Sequence, residues 1–133
     1  MLYLLDTDTC SYAIRGTSGA LDARLARESP EALAISAVTR AELMFGLERR
    51  GNPRALSTVV HGFLDRIAVM PWDTSSADHF GRLRAVLERG GTPIGIMDTM
   101  IASHALALKA TLVTNNLKHF QKVARLRLEN WVE

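Results

Sequence analysis

The 133-residue sequence predicts one α/β domain, a central mainly parallel sheet of four to five strands flanked by helices. Two observations carry that prediction. Short apolar runs alternate with segments of ten or more residues whose apolar positions recur at helical spacing, the pattern of parallel strands joined by helices. Apolar residues make up 47% of the chain and charged residues 23%, an ordinary globular balance with no repeat, low-complexity tract or linker. A chain of this length buries about two thirds of its unfolded surface in a single core.

The elements follow in order. Tyr3-Leu4-Leu5 reads as a short buried strand that ends at Asp6. Asp8 or Thr9 is positioned to cap a short helix running to Ile14, which Gly16 stops, and a second helix over 20–27 ends before Ser29-Pro30. Leu33-Ala34-Ile35 forms the second strand, and a helix over 41–50 follows, closed by Gly51. Asn52 as N-cap and Pro53 in the first helical position restart the chain as a helix. Its residues Leu56, Val59, Val60, Phe63, Leu64 and Ile67 form a core-facing stripe. Ala68-Val69-Met70 is the third strand. Residues 73–75 open a helix with Ala77, Phe80, Leu83 and Leu87 inward, ended by Gly90-Gly91. Met97 or Asp98 starts a helix through Leu108, 111–114 is the fourth strand, and 128–131 is a fifth.

Composition excludes several classes of function. No apolar run approaches the ~20 residues of a membrane-spanning helix. The N-terminus has no basic flank and turns acidic at Asp6, unlike a signal peptide. Cys10 is the only cysteine, so no intrachain disulfide forms; a reducing cytoplasm fits, with Cys10 as a small buried hydrophobe. The net charge of +2 is informative by position: basic residues gather at Arg49, Arg50 and Arg54, at Arg82, Arg84 and Arg89, and at Lys118, Lys122, Arg125 and Arg127. An acidic centre with basic surroundings suits a phosphate polymer.

Such a centre is legible in three segments, each expected at a strand-to-helix junction: Leu4-Leu5-Asp6-Thr7-Asp8, Thr39-Arg40-Ala41-Glu42 and Gly95-Ile96-Met97-Asp98. A fourth, Thr114-Asn115-Asn116, closes an apolar strand. Parallel strands bring such junctions to one edge of the sheet. Each acid also has a structural role open to it. Asp6 or Asp8 caps a helix, Thr39-x-x-Glu42 matches a capping box, and Asp98 in a first helical turn gains ~0.3–1 kcal/mol from the macrodipole. Burying an unpaired carboxylate costs several kcal/mol, more than that gain. Asp6 directly follows an apolar strand, Asp98 lies among Ile96, Met97, Met100 and Ile101, and no Lys or Arg adjoins either in sequence. A divalent cation with hard-oxygen preference compensates all of them together.

Mg²⁺ keeps several waters and needs few protein ligands, so three or four oxygen side chains suffice. It polarises a phosphoryl oxygen and lowers the pKa of an attacking water, the needs of phosphodiester hydrolysis. His61, His79, His104 and His119 show no H-E-x-x-H pattern, which disfavours zinc. Ser36 and Ser103 lack a nucleophile-elbow context, and there is no Gly-rich phosphate loop. Residues 4–9 also resemble the D-x-D-x-T/V start of haloacid-dehalogenase-type phosphatases. Cys10 occupies the position where that motif requires Thr or Val, and Thr114 follows Asp98, reversing the family's order.

Over the whole chain the residues resemble a PIN domain. The matching segments are Leu5-Asp6-Thr7, Ser36-x-x-Thr39-x-x-Glu42-Leu43-x-x-Gly46, Asp98-x-x-Ile101-Ala102 and Val113-Thr114-Asn115-Asn116-x-x-x-Phe120. Length, order and spacing are similar to the bacterial VapC-type toxins, as is Leu126-x-Leu-Glu-Asn-Trp131. The resemblance implies a Mg²⁺- or Mn²⁺-dependent endoribonuclease, inhibited by a small antitoxin encoded beside it. It further implies that Asp6, Glu42 and Asp98 are the metal-binding acids, that Asn116 stands where the family often carries Asp, and that Asp8 restores negative charge nearby. Such toxins usually dimerise, bind operator DNA together with the antitoxin, and cleave tRNA or rRNA; the nearest resemblance is to the initiator-tRNA group. A PIN-fold module that binds nucleic acid without cutting it, and a nuclease acting on DNA, remain as alternatives.

Overall fold

The computed structural model describes residues 1–133. Five strands, β1 (Tyr3–Leu5), β2 (Leu33–Ser36), β3 (Ala68–Met70), β4 (Thr111–Val113) and β5 (Leu128–Glu129), form one sheet in the order β3-β2-β1-β4-β5. Every pairing is parallel. Leu5 sits in register with Ile35 on one side and Val113 on the other, so β1 and β4 end together, one residue before β2. That shared edge is where the strands hand over to Asp6, Ser36 and Thr114.

Alternation along the strands divides the core in two. Leu4, Ala34 and Leu112 face a layer built on α5 (Thr74–Arg89) and α6 (Ile96–Leu108). Leu5, Ile35 and Val113 face the opposite layer of α1 (Thr7–Arg15), α2 (Gly19–Arg27), α3 (Ala37–Arg49) and α4 (Arg54–Leu64). Cys10 is fully buried in this second layer, as its chemistry suggests. A 3-10 turn at Pro30–Ala32 and the short α7 (Leu117–Phe120) complete the chain.

Several boundaries differ from the sequence reading, each for a local reason. Of the caps open to α1, Asp6 takes the role rather than Asp8 or Thr9: its Oδ1 accepts the Thr9 N–H at 2.8 Å. Helix α3 begins at Ala37, four residues before the expected start, because Ser36 caps it by accepting the Val38 N–H at 3.1 Å. Thr39 therefore lies inside the first turn, fully buried, and the Thr39–Glu42 capping box does not form. Asn52 takes a left-handed φ of 54°, and Pro53 is the N-cap of α4 without a side-chain bond. Val59 is exposed, leaving Val60 and Leu64 as the buried anchors of α4. Ala77 is exposed as well; Ser76, bonded to Asp73, takes the inward position. β4 stops at Val113, one residue short of the expected end, and β5 at Glu129, two short. Asp98 also does not follow a strand: it enters from the α5–α6 connection.

Candidate functional site

Asp6 leaves β1 at the centre of the sheet and is only 4% exposed. Burial pushes its carboxyl up from an ordinary 3.8 to about 6, against the lowering effect of hydrogen bonds from Thr114 and Thr9, with Asp8 adding repulsion. Glu42 arrives from the second turn of α3, and its Oε1 accepts a 2.5 Å hydrogen bond from the Thr7 hydroxyl. That hydroxyl lies 3.1 Å from Thr39 Oγ1, so α1 and α3 are joined at the base of the site. Asp98 occupies the first turn of α6. Gly95, the N-cap, has a φ of 91°, which a side chain rarely adopts. The Gly95 carbonyl accepts from both the Thr99 amide and hydroxyl, fixing the turn that presents Asp98.

Together Asp6, Asp8, Glu42, Asp98 and Asn116, with Thr7, Ser11 and Phe120, line an open cavity of about 320 Å³. Four of its eight lining residues are acids and none is basic, so negative potential concentrates there. All the candidate residues from the sequence thus come to one place. They do not close into a ready-made cage: no three His, Cys, Asp or Glu side chains approach closely enough to hold an ion. The acids are instead held apart by their neighbours, Glu42 by Thr7 and Asp98 by His119. Asn116 is exposed at the rim; its backbone N–H is bonded to Thr114 Oγ1 at 2.9 Å.

Two histidines matter that sequence spacing did not single out. His119 Nε2 lies 2.9 Å from Asp98 Oδ2 and 2.8 Å from the Ile94 carbonyl oxygen. Burial raises the Asp98 carboxyl above its usual range, while the nearby His119 opposes that rise. Buried His104, on α6, meets the Ser36 hydroxyl through Nδ1 at 2.8 Å and ties α6 to the cap of α3. Burial lowers its pKa, favouring a neutral ring. His119 follows the Asn115-Asn116 segment closely, but the α5–α6 connection that carries Asp98 to it is defined only by the fold.

The donor set fits a hard divalent cation. It consists of carboxylate oxygens and one amide, and the buried Asp6 charge has no Lys or Arg beside it in the cavity.

A parallel sheet with Asp6 at the carboxyl end of its central strand, and with Glu42 and Asp98 brought to that edge by α3 and α6, is the frame of a nuclease domain of the PIN class, and the PIN domain model matches residues 3–126. The tRNA(fMet)-specific endonuclease VapC of Salmonella typhimurium is 38% identical over 129 residues, covering 97% of each chain. Ribonuclease VapC2 of Rickettsia felis is 37% identical over 132 residues, with 98% of each chain covered. Among solved structures, the DNA-bound VapBC of Salmonella typhimurium superposes with a TM-score of 0.92 at 39% identity, covering 98% of this chain and 99% of that one. The chain belongs to the PIN-domain family, in its VapC branch of ribonucleases. The phosphatase reading finds no support among these relatives or in the order of the motifs.

Proposed function

We propose that this chain is a Mg²⁺- or Mn²⁺-dependent endoribonuclease, the toxin of a VapBC-type toxin–antitoxin pair, acting on initiator tRNA. The observation that carries the metal dependence is the buried carboxylate of Asp6, with no cation beside it, in a cavity whose only charged lining residues are acids. Asp6, Glu42 and Asp98 would hold the ion, with Asp8 adding negative charge at the cavity wall. A divalent ion bound there supplies Lewis acidity to a phosphoryl oxygen and lowers the pKa of water.

The chain's own groups supply the rest. The Thr9 amide keeps Asp6 in one rotamer at the helix cap. Thr7 aims Glu42 and His119 aims Asp98, so ordering the two flanking acids costs little when substrate enters. Asn116 offers a neutral oxygen or an N–H at the rim, suited to orienting water or a substrate hydroxyl rather than to adding charge. The initiator-tRNA target is supported by the VapC relatives of Salmonella typhimurium and Shigella flexneri, both named as tRNA(fMet)-specific endonucleases.

The antitoxin reading is supported by the solved VapBC complexes of Salmonella typhimurium and Rickettsia felis, both bound to DNA. A second cavity of about 250 Å³ between α1, α3 and α4 shares Thr7, Ser11 and Glu42 with the acidic one. A partner segment lying there with apolar side chains can reach the carboxylates with an Arg and compete with the cation. The large exposed apolar residue on α3 is Phe45, whereas Leu47 is buried in the core and Met44 is half-buried.

The test is cleavage of purified initiator tRNA by antitoxin-free protein with Mg²⁺ or Mn²⁺, with EDTA, and with the Asp98→Asn variant. Cutting that persists in EDTA, or in folded Asp98→Asn, refutes metal dependence; no cutting of initiator tRNA while other RNAs are cut refutes the substrate.

A further inference from the structure

A groove larger than the acidic cavity lies elsewhere on the molecule. It holds about 770 Å³ and lies between α5, the carboxyl end of α6 and the segment before β5. Arg82, Lys109, Lys122, Arg125 and Arg127 line it around apolar residues that include Val86, and no acid takes part. None of these five cations forms a salt bridge, whereas Arg24 and Arg84 elsewhere are paired with glutamates. With a net charge of only +2 on the whole chain, this concentration leaves the remaining surface net negative. Asp6, Asp8, Glu42 and Asp98 thus gather at one end of α6, and five cations line a single groove at the other.

We propose that this groove binds the phosphodiester backbone of the RNA substrate away from the cut. Unpaired Lys and Arg around a concave wall are the electrostatic footprint of a polyanion, held without regard to base sequence. Asp98 and Lys109 stand at opposite ends of α6, so the two sites are separated by roughly 16 Å along its axis. A folded RNA stem-loop spans that distance; a dinucleotide does not. The groove accordingly discriminates by size and shape, adding affinity for structured RNA that the acidic cavity, which repels phosphate in the absence of a cation, cannot supply. This inference rests on the ribonuclease reading above and extends it to a second contact.

The test uses Arg82→Gln/Lys122→Gln, which removes one cation from each wall. Both residues are exposed and make no hydrogen bond or ion pair within the fold, so the variant should melt at the wild-type temperature. Binding of a tRNA-sized stem-loop is measured without cleavage, in an Asp98→Asn background, as a function of salt. The expected result is about a tenfold loss of affinity near physiological salt and a salt slope smaller by about 2, one unit per lost phosphate contact. Arg84→Gln, on α5 but paired with Glu88, should leave both quantities unchanged. Duplex DNA of the same length run in parallel separates the two backbones. Unchanged RNA affinity and slope in the double variant, or a loss confined to DNA, overturns the proposal. Because the readout is binding, it stands apart from the EDTA test: cleavage can fail to need metal while the groove still holds RNA, and the reverse.

Discussion

Replacing Asp6 by Asn should make the metal-free protein more stable while disabling it. The carboxyl sits at about 6 in the fold against 3.8 when unburied, so the folded state binds its proton more tightly than the unfolded chain does. Stability then falls as pH rises through this window and is level above it, the opposite of a salt-bridged acid. The two-unit difference corresponds to about 3 kcal/mol of destabilisation at pH 7.5. Asn keeps the side-chain acceptor for the Thr9 amide and is as good an N-cap as Asp, but forgoes ~0.3–1 kcal/mol from the helix macrodipole. The net gain is about 2 kcal/mol, which for a domain of this size raises Tm by roughly 6–10 °C. Differential scanning calorimetry with EDTA at pH 7.5 and at pH 4 measures it. The variant should melt higher at pH 7.5, and the advantage should nearly vanish at pH 4, where the native Asp6 is protonated. Adding Mg²⁺ should raise the wild-type Tm, by ~2.7 kcal/mol of stability at a hundredfold excess over Kd, and raise that of Asp6→Asn much less. Equal melting of the two proteins at pH 7.5, or a difference that ignores pH, would show that Asp6 is not an uncompensated buried charge.

Other outcomes follow from the same geometry. Asn116→Asp should tighten Mg²⁺ binding in a titration of rate against metal, and Asn116→Ala should reduce activity less than Asp6→Ala; equal losses would mean that the amide does more than offer a neutral rim group. Thr7→Val removes the 2.5 Å bond to Glu42 and should lower kcat with little change in Tm, a split visible in steady-state kinetics beside a melting curve. Leu47→Ala should cost ~2–5 kcal/mol of folding stability in urea titration because it empties a buried site. Phe45→Ala, at an exposed position, should leave stability within ~0.5 kcal/mol. It should weaken capture of the small protein encoded next to this chain, read by pull-down with Asp98→Asn as the non-toxic bait. Expression of the wild-type chain should arrest growth and coexpression of that neighbour should restore it; neither effect, with no copurifying partner, would refute the toxin assignment.

The alternation of short aliphatic strands with amphipathic helices was sufficient for the α/β class, because periodicity reports which faces are buried regardless of what buries them. Asp6 and Asp98 stood out in the sequence, since a carboxylate after a buried strand or in an apolar helix start demands compensation that sequence neighbours do not provide, whereas Glu42 and Asn116 drew their roles from the resemblance to the PIN motifs. Local signals misled where two caps competed. Ser36 won over Thr39 at α3 because the chain had already turned from the sheet, and that choice freed Glu42 to meet Thr7. Which acid lies beside which group was settled only in three dimensions. The sheet order puts β4 beside β1, the α5–α6 connection carries Asp98 to His119, and α5 and the C-terminal segment bring Arg82 and Arg127 into one groove from distant parts of the chain. Composition and spacing specify what each segment must bury. Long-range proximity depends on how the strands order themselves, and no local propensity encodes that order.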